Sequence, residues 1–315
     1  MAYLSGWSKT RFKLTVNSEN IDNDLTNYPV MVKIIDPGFF EALGSNSKKI
    51  AFTKDDGITQ LYAEIEYYNA IDNIAIFHVS KNDWTISSTN DTIFYLYYDS
   101  IQPDNSLYIG DIGDVVAQNV WDSNFVMVQH MGESLVDSTG NGNDGTNYGS
   151  TVVDGLNGKA RSFDGSNDYV STLYTVPAMT SVDEFTWQAL VKNRDTSGTL
   201  PIIGNRYGGV SSPLQFIKLT RAGFEYYNSS KKGTEFTTPM GTTEFGYYSN
   251  KKVGTNLYSF INDSLNASDS SLPNIASNPF FIGGDPGGAG EYSNSIVDEV
   301  RISNIARSDA WIKAD

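Results

Sequence analysis

Carboxylates are the side chains in this chain whose types and spacing could do chemistry. Glu64 and Glu66 stand two positions apart in Leu61-Tyr62-Ala63-Glu64-Ile65-Glu66-Tyr67-Tyr68. On a strand that spacing puts both on one face. Paired carboxylates of this kind perform the acid–base work of glycoside hydrolysis. The sequence places no third carboxylate beside them, so the pair reads more simply as an acidic strand face or a small ion-pair network. Asp183-Glu184 precedes a strand, and Asp298-Glu299 are adjacent, which on a regular strand directs them to opposite faces. His78 and His130 are the two histidines. A histidine metal cluster is therefore nearly excluded, and a Ser-His-Asp triad could draw on these two alone. His78 has apolar neighbours and reads as structural. There are no cysteines, which excludes disulfides, thiolate metal sites and cysteine nucleophiles.

Two stretches are rich in side-chain oxygen. Asp137-Ser138-Thr139-Gly140-Asn141-Gly142-Asn143-Asp144-Gly145 could surround a hard cation. It lacks the spacing and terminal glutamate of an EF-hand. Phe163-Asp164-Gly165-Ser166-Asn167-Asp168-Tyr169-Val170 reads as strand, turn and strand, with Gly165 free to take a positive φ.

The elements that must position these residues are strands. Tyr and Phe number 19 and 16 in 315 residues, a composition that suits β structure. Arg11–Asn17, Tyr28–Ile34, Lys49–Thr53, Leu61–Tyr68, Ile74–Val79 and Asp91–Tyr98 recur at near-regular spacing between turn residues, as in a β-sandwich. Residues 99–119 read as a partly ordered connector. Beyond them about ten strand-like segments, among them Phe185–Val191, Leu214–Leu219, Leu257–Ile261 and Ser295–Ser303, favour two stacked antiparallel sheets. The tail after Ser308 could form a helical turn or two capped by that serine. The expected chain is all-β, with a small sandwich over 1–118 and a larger jelly roll over 119–315.

Gly6-Trp7, Leu25-Thr26-Asn27-Tyr28-Pro29-Val30, Phe52-Thr53-Lys54-Asp55-Asp56-Gly57, Glu64-Ile65-Glu66 and Tyr97-Tyr98 fall in the order of a domain of unknown function common in prokaryotic surface proteins, which the first region resembles. It departs at Asp99-Ser100, where that family has Gly-Asn. The second region resembles laminin-G-like, concanavalin A-like jelly rolls. Trp121-Asp122, His130–Glu133, Asp137–Gly145, Phe163-Asp164-Gly165, Asp168-Tyr169-Val170, Phe185-Thr186-Trp187, Phe281–Gly284 and Val297–Ser303 carry that likeness. The middle diverges at Phe245-Gly246-Tyr247-Tyr248.

The second resemblance implies glycan or protein binding through loops or a face. It also implies one structural calcium ion, with Asp298 as the first candidate ligand and Asp164 as the second. Tyr207 in Asn205-Arg206-Tyr207-Gly208-Gly209 and Tyr292 after Gly287-Gly288-Ala289-Gly290-Glu291 are loop-placed by pattern and are the candidate stacking residues for a sugar. Enzymatic relatives carry Glu-x-Asp-x-x-Glu on one strand. That spacing is absent here, so the expectation is a chain that is not an enzyme.

The formal net charge of −15 disfavours nucleic acid and anionic membrane as partners. No apolar run of 18 residues exists to span a membrane. The N-terminus lacks the pattern of a secretory signal. Exterior modules without a signal suit a bacteriophage virion, whose proteins leave by lysis. The expectation is a virion surface protein: a capsid decoration, a head fibre or a tail-associated receptor binder. Its partners would be other virion proteins, host glycan and copies of itself. The alternatives are a cell-surface or secreted glycan-binding adhesin and, behind it, a glycoside hydrolase or lyase.

Overall fold

The computed structural model describes residues 2–180, 182–196, 198, 200–206, 215–287 and 290–315. It is almost entirely β. Two compact units are present. The first runs through Ser123 and takes in Ser138–Gly140 and Ala314; the second holds Asn124–Asp137, Asn141–Lys313 and Asp315. Among the described residues no helix is long and apolar enough to cross a membrane.

The first unit is built on a seven-stranded sheet. Its order is Arg11–Val16, Thr92–Tyr98, Ile50–Lys54, Gln60–Asn69, Ile74–Ser80 and Val30–Ile34, with Ile109–Asp111 adding in parallel to Gln60–Asn69. The connector is thus partly a strand. Phe52 anchors the core, its ring 5.6 Å from Phe77 and 6.4 Å from Phe94. A short helix, Pro37–Leu43, escapes the strand pattern. Its start was nonetheless written in the sequence. The Asp36 side chain accepts from the Phe39 N–H, and Pro37 occupies the first turn, where its missing N–H costs nothing.

The second unit is two stacked sheets. One has eight strands: Thr151–Asp154, Lys159–Asp164, Asn294–Ser303, Phe185–Asn193, Gly246–Val253, Asn256–Ile261 and Ser264–Asp269 in order, with Phe125–Gln129 added on Asn294–Ser303. The other runs Gly145–Tyr148, Tyr169–Val176, Asn278–Ile282, Pro201–Gly204, Gln215–Thr220, Gly223–Asn228 and Lys231–Glu235. Alternation supplies the core between them. Phe185, Trp187, Ala189 and Val191 point inward from one strand, and Phe224 and Tyr226 meet them from the opposite sheet. The Trp187 ring stands edge-on to Phe224 at 5.7 Å and to Phe280 at 5.1 Å. The divergent segment at Gly246-Tyr247-Tyr248 still forms a strand, because it pairs throughout with Phe185–Asn193. The tail helix Asp309–Ala314 is capped as expected, with the Ser308 hydroxyl accepting from the Trp311 N–H.

The strand Asn294–Ser303 organises this unit. Phe185–Asn193 pairs along one edge. The other edge is shared: Lys159–Asp164 pairs with its first half and Phe125–Gln129 with its second. The oxygen-rich segment beginning at Asp137 seals the latter strand. The buried Asp137 carboxylate accepts from the Val128 N–H at 3.0 Å and the Asn143 N–H at 2.9 Å. Asn141 and Asn143 donate their side-chain amides to carbonyls of Phe125 and Val126. These oxygens are turned to backbone amides, which is how a polar loop can lie against a core. Asp137→Ala would strand the buried Val128 N–H and the half-buried Asn143 N–H. It is expected to lower stability by ~3 kcal/mol in urea unfolding, and an unchanged midpoint would show that these bonds do not hold the loop.

Candidate functional site

The carboxylates singled out by spacing are mostly committed to structure. Glu64 is buried and accepts from the Trp121 indole N–H at 2.7 Å. Glu66 lies 2.7 Å from Nε2 of the buried His78. Neither carboxylate belongs to an exposed acidic face: Glu64 is bonded to an indole and Glu66 to an imidazole. His78 is structural, as its apolar flanks suggested. In the second unit Nδ1 of His130 contacts Glu299 at 2.6 Å, and Arg301 reaches the other Glu299 oxygen at 3.2 Å. Burial works to raise the Glu299 carboxyl, but His130 and Arg301 outweigh it and hold it below its ordinary value.

Asp298 sits where the shared edge of Asn294–Ser303 changes partners. Val297 pairs with Arg161 and Val300 with Gln129, leaving Asp298 between them. On the opposite edge Leu190 faces Glu299 and Val191 faces Val297, so Asp298 is the extra residue of a β-bulge. The regular alternation expected for Asp298 and Glu299 lapses at this point. The Asp298 carboxylate turns to the hairpin ahead of Lys159–Asp164. Its Oδ2 accepts from the N–H groups of Leu156 at 2.6 Å and Asn157 at 2.9 Å. A side chain on Gly155 would meet that oxygen at 2.6 Å, so glycine is required there.

Asp164 does not join it. It lies across from Asn294, four residues along the strand, which is about 13 Å. Its side chain is exposed and accepts from the Ser166 N–H in its own turn at 2.8 Å. Asp298 and Asp164, the first and second calcium candidates, thus stand at separate places in the unit. Asp298 keeps one buried oxygen, Oδ1, without a hydrogen bond among the described residues.

Burial first, and then the Glu299 charge, push the Asp298 carboxyl up to about 7, against the two N–H groups and His130. The folded chain therefore holds this proton more tightly than the unfolded chain, whose carboxylate titrates near ~4. Its stabilising contribution is complete below pH ~4 and is lost as pH rises through about 7. Thermal melts from pH 4 to 8 are expected to show this fall in the parent chain and a flatter profile in Asp298→Asn. Parallel profiles would contradict the assignment.

A different surface gathers groups suited to recognition. On the seven-stranded sheet of the second unit, Tyr148 and Tyr169 lie opposite each other on paired strands, rings stacked at 4.5 Å and 7°. Tyr169 also meets Phe281 edge-on at 6.1 Å and Tyr292 at 6.3 Å. Burial, then the nearby Tyr148 and Tyr292, raise the Tyr169 hydroxyl above its ordinary range. Tyr148, on the edge strand, is 47% exposed. Tyr292, expected in a loop, lies in the short strand Glu291–Tyr292 paired with Gly284-Asp285. Gly284 is needed beneath it, because a Cβ there would stand 2.4 Å from the ring. Tyr207 falls outside the described residues.

Charged residues adjoin these rings. Arg206 contacts Glu291 through Nη1 and lies 3.3 Å from the buried Asp285 through Nε. Lys218 contacts Glu291 at 3.0 Å and Glu225 at 3.5 Å. Lys218 and Glu225 face each other on neighbouring strands, and beside them Phe216 and Tyr227 stack at 5.0 Å. Burial pushes the Asp285 carboxyl up. Burial also acts to raise Glu291, but Lys218 and Arg206 outweigh it and hold that carboxyl low. None of Arg206, Lys218, Glu225 or Asp285 was singled out by sequence. The signal available was the strand pairing that puts Lys218 opposite Glu225, and it required the register.

The first unit carries a separate shallow cleft of about 500 Å³, lined by Lys48, Tyr62, Leu107 and Val115 among others. Lys48 is paired there with Asp111 and Asp114.

No protein-family model matches the chain, and no curated protein matches it. Solved structures do. Domain 4 of AbnA, a GH43 extracellular arabinanase from Geobacillus stearothermophilus, solved in complex with arabinotriose, is 17% identical with a TM-score of 0.51; the match covers 60% of this chain and 97% of that one. The binding domain of Paraclostridial Mosquitocidal Protein 1 is 13% identical, TM-score 0.48, with 60% of this chain and 51% of that chain covered. Trypanosoma rangeli sialidase is 13% identical, TM-score 0.46, with 80% and 43% covered. This chain therefore spans about half or less of the length of the latter two.

The likeness to the arabinanase domain shows the fold, a β-sandwich. It also corrects one expectation. The absence of Glu-x-Asp-x-x-Glu was read as a chain that is not an enzyme. The arabinanase domain shows this architecture as part of a glycoside hydrolase. A missing strand motif is therefore no ground for setting the chain apart from such enzymes, and that expectation does not stand.

Proposed function

We propose that the second unit binds glycan on the face of its seven-stranded sheet that carries Tyr148 and Tyr169, together with Tyr292 of the adjoining two-stranded ribbon. The observation that carries this reading is the tyrosine cluster itself: Tyr148 and Tyr169 stacked on one sheet, Tyr148 half exposed, with Tyr292 of the Glu291–Tyr292 ribbon beside them, next to fixed ionic groups. Core aromatics do not account for it, since the apolar core lies between the sheets and is filled by Trp187, Phe224 and Phe280. Sugar rings stack on aromatic faces, and a few fixed polar groups then orient the hydroxyls. Domain 4 of the arabinanase, of like fold and solved with arabinotriose, supports the reading.

The proposed setting is an exterior surface, that of a bacteriophage virion or of a prokaryotic cell. The acidic charge and the Asn-, Ser- and Asp-rich composition support an exterior role. Peptides of this chain in mass spectra of purified virions would favour the former, and their absence there the latter.

Titration calorimetry with arabinotriose and a panel of oligosaccharides tests the binding reading. Tyr148→Ala and Tyr292→Ala are each expected to weaken binding about two- to tenfold, in line with the loss of one aromatic contact of about 0.5–1.5 kcal/mol. Unchanged affinity in both variants, with the fold intact by circular dichroism, would remove the tyrosine face from the reading.

A further inference from the structure

The ionic groups beside the tyrosines carry an inference about which sugars this face accepts, and it rests on the glycan-binding reading above. Every cation found there among the described residues is already neutralised. Arg206 is held by Asp285 and Glu291. Lys218 is held by Glu291 and Glu225. Lys231 lies 3.6 Å from Glu225 and 3.2 Å from Glu235. An anionic sugar would meet no uncommitted positive charge.

It would meet a negative one. Glu291 is held ionised by Lys218 and Arg206, and both cations contact the same oxygen, Oε2. Its Oε1 takes no hydrogen bond among the described residues, and 23% of the side chain is exposed. Glu291 directly precedes Tyr292 in the same short strand. Asp285, paired with Glu291 across that ribbon and fully buried, anchors Arg206 from behind. An ionised carboxylate is acceptor-only, so it suits hydroxyl donors and repels another carboxylate at short range.

We infer that this face selects neutral, hydroxyl-rich oligosaccharides over acidic ones, with the Glu291 carboxylate as the acceptor that sets the selection. Asp285 and Lys218 act through Arg206 and Glu291 as positioning residues.

The test is calorimetry on the full chain with matched probes: lactose against sialyllactose, and a neutral trisaccharide against trigalacturonic acid. The neutral member of each pair is expected to bind at least about tenfold tighter. In Glu291→Gln, Arg206 and Lys218 lose a counter-charge, so the acidic members should gain and the preference should shrink or invert. The parent chain supplies a second readout that needs no variant. Between 20 and 500 mM NaCl, neutral-sugar affinity should stay level while the acidic sugars' weaker affinity rises, as screening removes repulsion. Acidic members binding as tightly as neutral ones, or weakening with salt, would overturn the selection while leaving glycan binding standing. No binding by any probe would overturn the glycan reading and the selection with it.

Discussion

The bonding of Asn294–Ser303 along both edges is the constraint on which the second unit depends. One strand cannot give the same edge to two partners at the same register, so Lys159–Asp164 and Phe125–Gln129 divide its length between them. The place where they divide needs an irregular residue. Asp298 fills it, bulged from the ladder and bonded to the N–H groups of Leu156 and Asn157. A carboxylate can accept from both amides at once, which a neutral apolar side chain at that position could not. The cost is a buried acid whose ionised form is disfavoured, and that cost is visible in its raised titration.

The same logic of commitment runs through the rest of the polar residues. Glu64, Glu66, Asp137 and Glu299 look available for chemistry when read as side-chain types. Each is instead turned to an indole, an imidazole, a guanidinium or backbone amides within its own unit. The face bearing Tyr148, Tyr169 and Tyr292 differs, because a half-exposed ring and a partly exposed carboxylate remain there. Burial of Asp285 and Lys218 beneath that face keeps Arg206 and Glu291 in fixed positions, and preorganisation of this kind lowers the entropic cost of binding.

The strongly apolar strands were legible from sequence: Phe185–Asn193 is buried along nearly its whole length, and Phe185, Trp187, Ala189 and Val191 enter the core at the strand period. Polar edge strands were not. Gly145–Tyr148, Lys231–Glu235 and Ser264–Asp269 carry little apolar pattern because each has one free edge and much exposed surface. Tyr292 was identified as a binding candidate from its glycine-rich surroundings, but its partners Tyr148 and Tyr169 were not. They lie 144 and 123 positions away, and only the pairing of Gly145–Tyr148 with Tyr169–Val176 and the Gly284–Tyr292 bridge brings the three together. The Asp298 bulge was illegible for a related reason: it arises from two strands competing for one edge, a fact of topology and not of spacing.

Hydrogen–deuterium exchange with and without a saturating neutral oligosaccharide is the most direct measure of the central claim, that the tyrosine-bearing face receives sugar. Protection confined to the peptides around Tyr148, Tyr169 and Gly284–Tyr292 is the expected result. Protection confined to the eight-stranded sheet, or to the first unit, would contradict it.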